Sequence, residues 1–450
     1  MDYIIYFAIT IGILVFVHEF GHFAAAKLCK MRVDVFAIGF GKRLIGWNKI
    51  NGYTLGKLPE DWDGQGQTDY RLCLFPLGGY VKIAGMVDES NDTSFAATEP
   101  KPYEFRSKPT YQKLFVITAG VLMNLLLTLV IFWGINFFQG KQVFKSTTIS
   151  QVEQNSFADQ AGFQSFDRII SINDKEVSDW DDIIEYIFVQ SRANVTFKID
   201  RAGEEVILTI PHKDITSASS DAMFIFPAPT QPFVQDVMKN SPAEDAGIKA
   251  GDIFISIDGS LLNNQQQVID IISSKKEENV EIVYLRNDDT LRTTVNPGLE
   301  GKIGIVITSS YTGDFEYKSY GFFEAGTHSI LNIGNYTVLT FSMLKNVVTG
   351  KIAFDQAFGG PVKIAQYAAR SADTGIISFL FFLAMLSLSL AIINILPIPA
   401  LDGGHFIIIL IEGIMGKELP IKAKIVIQNA GFFFLLALMA FIIYSDLLSL

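Results

Sequence analysis

The chain has 450 residues, 49% of them hydrophobic and only 18% charged, with a mean hydropathy of +0.30. That is too apolar for an ordinary soluble protein, and a net charge of −11 argues against a nucleic-acid partner. Two cysteines, Cys29 and Cys73, lie in no C-x-x-C pattern and cannot build a disulfide framework.

The first predicted element is the apolar run 3–26. Its 24 residues are enough to cross a hydrocarbon core of ~30 Å at ~1.5 Å per residue. Inside it stands VHEFGH, residues 17–22. Ionisable side chains at that depth cost at least ~2.5 kcal/mol each, so they point to function. His18 and His22 are four apart and share one helix face. With Glu19 between them they form H-E-x-x-H, the spacing in which two imidazoles bind Zn²⁺ and the glutamate acts as general base. Two plainer readings compete. A signal peptide would need a basic start, but the chain begins MDY. A structural pair of satisfied core histidines remains open on this motif alone.

Residues 27–113 follow, with 13 Lys and Arg, and then a second apolar run, 114–138. Beyond it the chain repeats. SFADQAGFQSFDRIISIND (156–174) and SPAEDAGIKAGDIFISIDG (241–259) are offset by 85 residues and identical at eight of nineteen positions. This predicts two duplicated small domains, 139–225 and 226–312. Their motif resembles PDZ domains of the bacterial protease type, which capture peptides as an added strand. A role as spacer or size filter is the alternative. Residues 313–374 are expected to hold interfacial helices, among them the amphipathic stretch 328–348. Runs 375–396 and 425–445 complete four predicted spans.

Four spans put both termini on one side. Lys and Arg concentrate in 27–113 and 411–424, which predicts those segments to be cytoplasmic and both termini and the PDZ-like domains to lie outside. A catalytic zinc needs a third protein ligand. NILPIPALDGGH, residues 394–405, offers one at the inner end of the third span. Pro397 and Pro399 open the helix there, and Asp402 follows. Topology brings it to the depth of His18 and His22. His405 is the rival ligand, or else a partner that orients Asp402.

HEFGHFAAAK, a tandem PDZ region and NILPIPALDGGH together resemble the site-2 protease family of intramembrane zinc metalloproteases, and within it the bacterial members with tandem PDZ domains. The resemblance covers essentially the whole chain. It implies Zn²⁺ held by His18, His22 and Asp402, with Glu19 as catalytic base. It implies the inner membrane of a Gram-negative cell and membrane-spanning substrates: an anti-sigma factor already trimmed by another protease, or signal-peptide remnants. GFGKRL (39–44) and YRLCLFPLGGYVKIAGM (70–86) match two further family motifs, the second a membrane-associated β-hairpin. Its apolar arms meet at Pro76-Leu77-Gly78-Gly79, a turn signal. The hairpin residues Leu72, Leu74, Gly78, Gly79 and Tyr80, together with Asn394, are the candidate substrate contacts. GGPVKIAQ (359–366) matches another motif, to which the residues themselves assign no role. The expected fold is a polytopic α-helical membrane protein with four transmembrane helices and two periplasmic PDZ-like α+β domains. A membrane zinc transporter and a non-enzymatic PDZ scaffold are the competing functions.

Overall fold

The computed structural model describes residues 2–58, 64–86, 99–152, 156–187, 194–211, 214–215, 224–286, 289–350 and 359–448. The chain divides into two compact units. One comprises residues 1–140 and 319–450, the other 141–318.

Four helices among the described residues are long and apolar enough to cross a membrane. They are α1 (Asp2–Leu28), α2 (Thr110–Phe138), α9 (Ile376–Ile395) and α11 (Ile421–Leu448). Three shorter or more polar helices join them: α7 (Phe322–Val348), α8 (Pro361–Thr374) and α10 (Asp402–Met415). The helix α10 begins at Asp402, so the segment read as a loop over 397–405 is helical in its last four residues. The bend itself is confined to residues 396–401, where two prolines break the ladder of backbone bonds.

Polar residues on α2 fasten its neighbours. Trp133 Nε1 donates to the Phe322 carbonyl (2.8 Å), and Asn136 Nδ2 donates to Ser329 Oγ (2.9 Å), which ties α7 to the end of α2. The Thr128 hydroxyl bonds Ala384 O, and the Ser387 hydroxyl donates to Asn124 O, which ties α9 to the middle of α2. In an apolar bundle such bonds hold helices in register where hydrophobic burial gives no preference. The GGPVKIAQ segment opens α8. Asp446, buried near the end of α11, accepts from the Gly360 and Lys363 backbone N–H groups at 3.1 and 3.4 Å and so caps that helix.

Between α1 and α2 lies a sheet in the order β2-β1-β3, made of β1 (Val33–Asn48), β2 (Gly52–Leu55) and β3 (Asp69–Ile83). Here the structure corrects the sequence reading. The arms within 70–86 do not pair with one another as a hairpin. Both halves of β3 pair with β1: Arg71 and Tyr80 both lie opposite Ala37, and Leu72 and Gly79 both lie opposite Ile38. The Pro-Leu-Gly-Gly signal bends the strand, but the 16-residue β1 supplies the partner for each half. β1 bends in turn at Gly39 and Gly41, with φ of +86° and +88°. A Cβ at Gly39 would lie 2.7 Å from the Phe75 carbonyl oxygen, so only glycine fits there. Arg43 pins the bend, donating to both carboxylate oxygens of the buried Asp69 and to the Thr54 and Gly56 carbonyls.

The second unit holds two modules with separate apolar cores. The first is a sheet in the order β6-β5-β7-β8: β5 (Arg168–Ile172), β6 (Lys175–Glu176), β7 (Asn194–Arg201) and β8 (Glu204–Pro211). The second runs β13-β12-β10-β9-β14: β9 (Thr230–Val237), β10 (Ile253–Ile257), β12 (Val280–Arg286), β13 (Asp289–Val295) and β14 (Ile305–Tyr311), with β11 (Ser260–Leu261) paired to β10. The repeated motif has one physical explanation in both. Ser156 and Ser241 cap one-turn helices by accepting from the Asp159 and Glu244 N–H groups. Ala158 and Ala243 are buried beneath them. Gly162 and Gly247 turn the chain at positive φ. The buried Asp167 and Asp252 each take a bidentate arginine, Arg201 and Arg286, which also donates to the Gly162 or Gly247 carbonyl. These features fit PDZ-like modules. The unit reaches past residue 312: β15 (Phe315–Lys318) pairs with β4 (Lys141–Phe144) and joins its two ends.

Candidate metal centre

His18 and His22 lie one turn apart on α1, and Asp402 begins α10. The two imidazole Nε2 atoms are 3.2 Å apart, and Asp402 Oδ2 is 3.2 Å from His18 Nε2 and 3.5 Å from His22 Nε2. These three residues form the cluster of metal-ligand type found among the described residues.

The local sequence explains how Asp402 arrives. Ala400 takes a positive φ of 72°, an unfavourable conformation for a residue with a Cβ. The turn it makes is packed from three sides by glycines. A Cβ at Gly403 would strike the Ile395 and Leu396 carbonyls, at Gly404 the Ile398 carbonyl, and at Gly431 of α11 the Pro399 carbonyl. Asp402 sits in the first turn of its helix, where the backbone dipole favours a carboxylate.

His22 Nδ1 donates to the Val116 carbonyl on α2 at 2.8 Å. In the neutral imidazole its Nε2 is then the lone-pair atom. That nitrogen faces a second imidazole nitrogen and the enclosed Oδ2 of Asp402, whose near polar neighbours are the two imidazoles. Three electron-rich atoms packed together repel unless a cation lies among them. Two histidines and a carboxylate are also a hydrolytic zinc set. The residues present fit the metal.

Glu19 lies within electrostatic reach of His18, His22 and Asp402. β3 runs directly past it, since a Cβ added at Gly79 would sit 3.0 Å from Glu19 Cγ and 2.8 Å from Val15 Cγ1. Tyr80 stacks on Phe40 with ring centroids 6.2 Å apart, and a Cβ at Gly78 would strike the same Phe40 ring. Leu72 and Leu74 are exposed on the other half of β3. Asn394 is half-buried in the last turn of α9, eight residues before Asp402. His405 is not brought to the cluster; its Nε2 faces Gln428 of α11 at 3.3 Å. Both cysteine thiols are held up by burial, so neither is an activated nucleophile.

Peptidase family M50 matches residues 6–438 of this chain. The chain belongs to that family. A relative in Haemophilus influenzae, named Regulator of sigma E protease, is 30% identical over 464 aligned positions, covering 99% of this chain and 98% of its own. A relative in Rickettsia conorii, provisionally named a zinc metalloprotease, is 30% identical over 450 positions and 99% of each chain. Among solved structures, the PDZ domain of an SdrC-like protein from Listeria monocytogenes is 31% identical over 17% of this chain and 86% of its own, with a TM-score of 0.16. This M50 peptidase is thus a membrane zinc metalloprotease of the site-2 protease type. The transporter and scaffold readings fall with that membership.

Sequence reasoning missed the part played by α2. Gly120 lies flat against the histidines, where a Cβ would strike His22 Nε2 and lie 2.7 Å from His18 Cε1. The signal is a glycine and an asparagine within an apolar span, residue types that mark close helix approach and polar pairing and not a metal ligand. Gly120→Ala is expected to lower zinc affinity by at least about tenfold, the scale of lost support behind a ligand. Metal content after dialysis against a graded chelator measures it, and unchanged retention would remove this packing role.

Proposed function

We propose that this M50 peptidase is an intramembrane endopeptidase that cuts transmembrane segments of single-span substrates at a zinc centre formed by His18, His22 and Asp402, with Glu19 as its base. One observation carries the reading: the carboxylate of Asp402 meets both imidazole Nε2 atoms within 3.5 Å, although nearly the whole chain separates them.

Zinc at this position supplies Lewis acidity, polarising a carbonyl and lowering the pKa of water. Glu19 takes the proton of the attacking water and returns it to the leaving nitrogen. A substrate helix must first unwind, because its carbonyls are bonded internally. Its freed backbone groups then need partners inside the bilayer. β3 is an end strand of its sheet, with Gly79 against the base. In this proposal the 79–83 half accepts the substrate as an added strand. Leu72, Leu74, Gly78 and Tyr80 shape the surface around it, and the Asn394 amide holds the same backbone.

The lysine and arginine distribution supports a zinc site near the cytoplasmic side of an inner membrane, with the PDZ-like modules in the periplasm. The substrates proposed are anti-sigma factors already trimmed by another protease, and signal-peptide remnants. The name of the Haemophilus influenzae relative supports the first of these. The modules would then exclude substrates with bulky outer domains.

Glu19→Gln is expected to keep its zinc and lose at least about 100-fold in cleavage rate. Residual activity near wild type, assayed on a transmembrane peptide in detergent, would remove the base assignment. Of Tyr80→Pro and Val81→Pro, one removes an N–H that faces β1 and the other an N–H that faces the free edge. Strand addition requires the edge-facing substitution to abolish cleavage in a folded protein; normal turnover by both variants counts against it. Deleting residues 141–318 is expected to speed cleavage of untrimmed substrate relative to trimmed substrate. An unchanged ratio would leave the modules without a filtering role.

A further inference from the structure

The two histidines are braced differently from α2, and the difference assigns a residue. His22 is fixed by the Val116 carbonyl, which can only accept. Two turns further along α2, Asn124 Nδ2 lies 3.2 Å from His18 Nδ1. Asn124 is wholly buried, and its Oδ1 has no hydrogen-bond partner.

A neutral imidazole that turns its Nε2 lone pair toward a metal carries its proton on Nδ1. The Nδ1 of His18 is then a donor, and the group opposite must accept. An asparagine amide has an acceptor and a donor end of nearly the same shape, and half a turn about its last bond exchanges them. Oδ1 finds no donor where it now points, so no bond opposes that turn. A buried donor left facing another donor would cost about 1–3 kcal/mol, which decides the orientation.

We infer that Asn124 is a positioning residue for the zinc ligand His18: its side-chain carbonyl accepts the Nδ1 proton and holds the imidazole in the tautomer whose Nε2 meets the metal. The inference rests on the proposal that His18, His22 and Asp402 bind zinc. Asn124 serves a second purpose through its backbone. Its carbonyl accepts from Ser387 Oγ of α9 at 2.8 Å and from Thr128 Oγ1 at 3.0 Å. One residue of α2 therefore fixes a ligand on α1 and anchors the helix that leads to Asp402. Substituting the side chain leaves the backbone bond in place, so the two purposes separate experimentally.

The test is zinc affinity of the full-length protein in detergent, read by competition with a chromophoric chelator, for wild type, Asn124→Ala and Asn124→Asp. Thermal unfolding of the metal-free forms serves as the control for folding. Alanine is expected to weaken zinc binding about 10- to 100-fold. Aspartate keeps an acceptor opposite Nδ1 and is expected to hold zinc at least about tenfold more tightly than alanine. Equal affinity of wild type and the alanine variant overturns the inference while leaving the metal site intact. If the alanine variant does not fold, aspartate decides alone: a tenfold loss against wild type means that the amide N–H, and not the carbonyl, was required. Absence of zinc binding by wild type overturns the metal site itself, and this inference with it.

Discussion

A polar atom surrounded by hydrocarbon must find its partner within the protein, and this constraint organises everything around the metal centre. The two histidines on α1 cannot be left to water. Their outer nitrogens face α2, which meets them with a backbone carbonyl at Val116 and a side-chain amide at Asn124. For α2 to come so close, residues with bulk must be missing at the crossing. Gly21 on one helix and Gly120 on the other provide the space, and a Cβ at Gly21 would strike the Ala119 carbonyl. Close approach and polar pairing are thus two sides of one arrangement.

The same logic explains which parts could be read from the chain. His18, Glu19 and His22 lie within one helical turn, so local spacing states their geometry outright. Asp402 is far away in sequence, but paired prolines and glycines mark the break at which it emerges. The sheet was harder. Its bend at Pro76 to Gly79 was visible, yet a bend does not say which strand is the partner. β1 precedes β3 and is long enough to take both of its halves, and pairing over that distance leaves no mark in either segment alone. Asn124 was hidden for another reason. Its meaning depends on the tautomer of a side chain on a different helix, which no periodicity encodes. The GGPVKIAQ motif owes its place to Asp446, more than eighty residues later.

The second unit shows how far one local solution can be reused. Every part of the serine cap, buried alanine, turning glycine and aspartate–arginine clamp recurs at an offset of 85 residues. Asp167 and Asp252 are almost completely enclosed, and each is matched by a guanidinium that also satisfies a carbonyl of the preceding turn. A buried carboxylate is tolerable only with such pairing. What differs between the modules is the strand complement, four in one sheet and six in the other. The clamp constrains the junction of helix and strand and leaves the far edge of each sheet free to diverge.

The distance along the chain between the ligands has a consequence for biosynthesis. When α1 and α2 have entered the bilayer, the imidazoles and their supports are in place, but Asp402 does not yet face them. The ribosome must add more than 260 further residues before Asp402 emerges. A nascent or prematurely terminated chain therefore carries His18, Glu19 and His22 without the carboxylate of Asp402. Asp402 arrives only with the final helices, after the second unit has been translated.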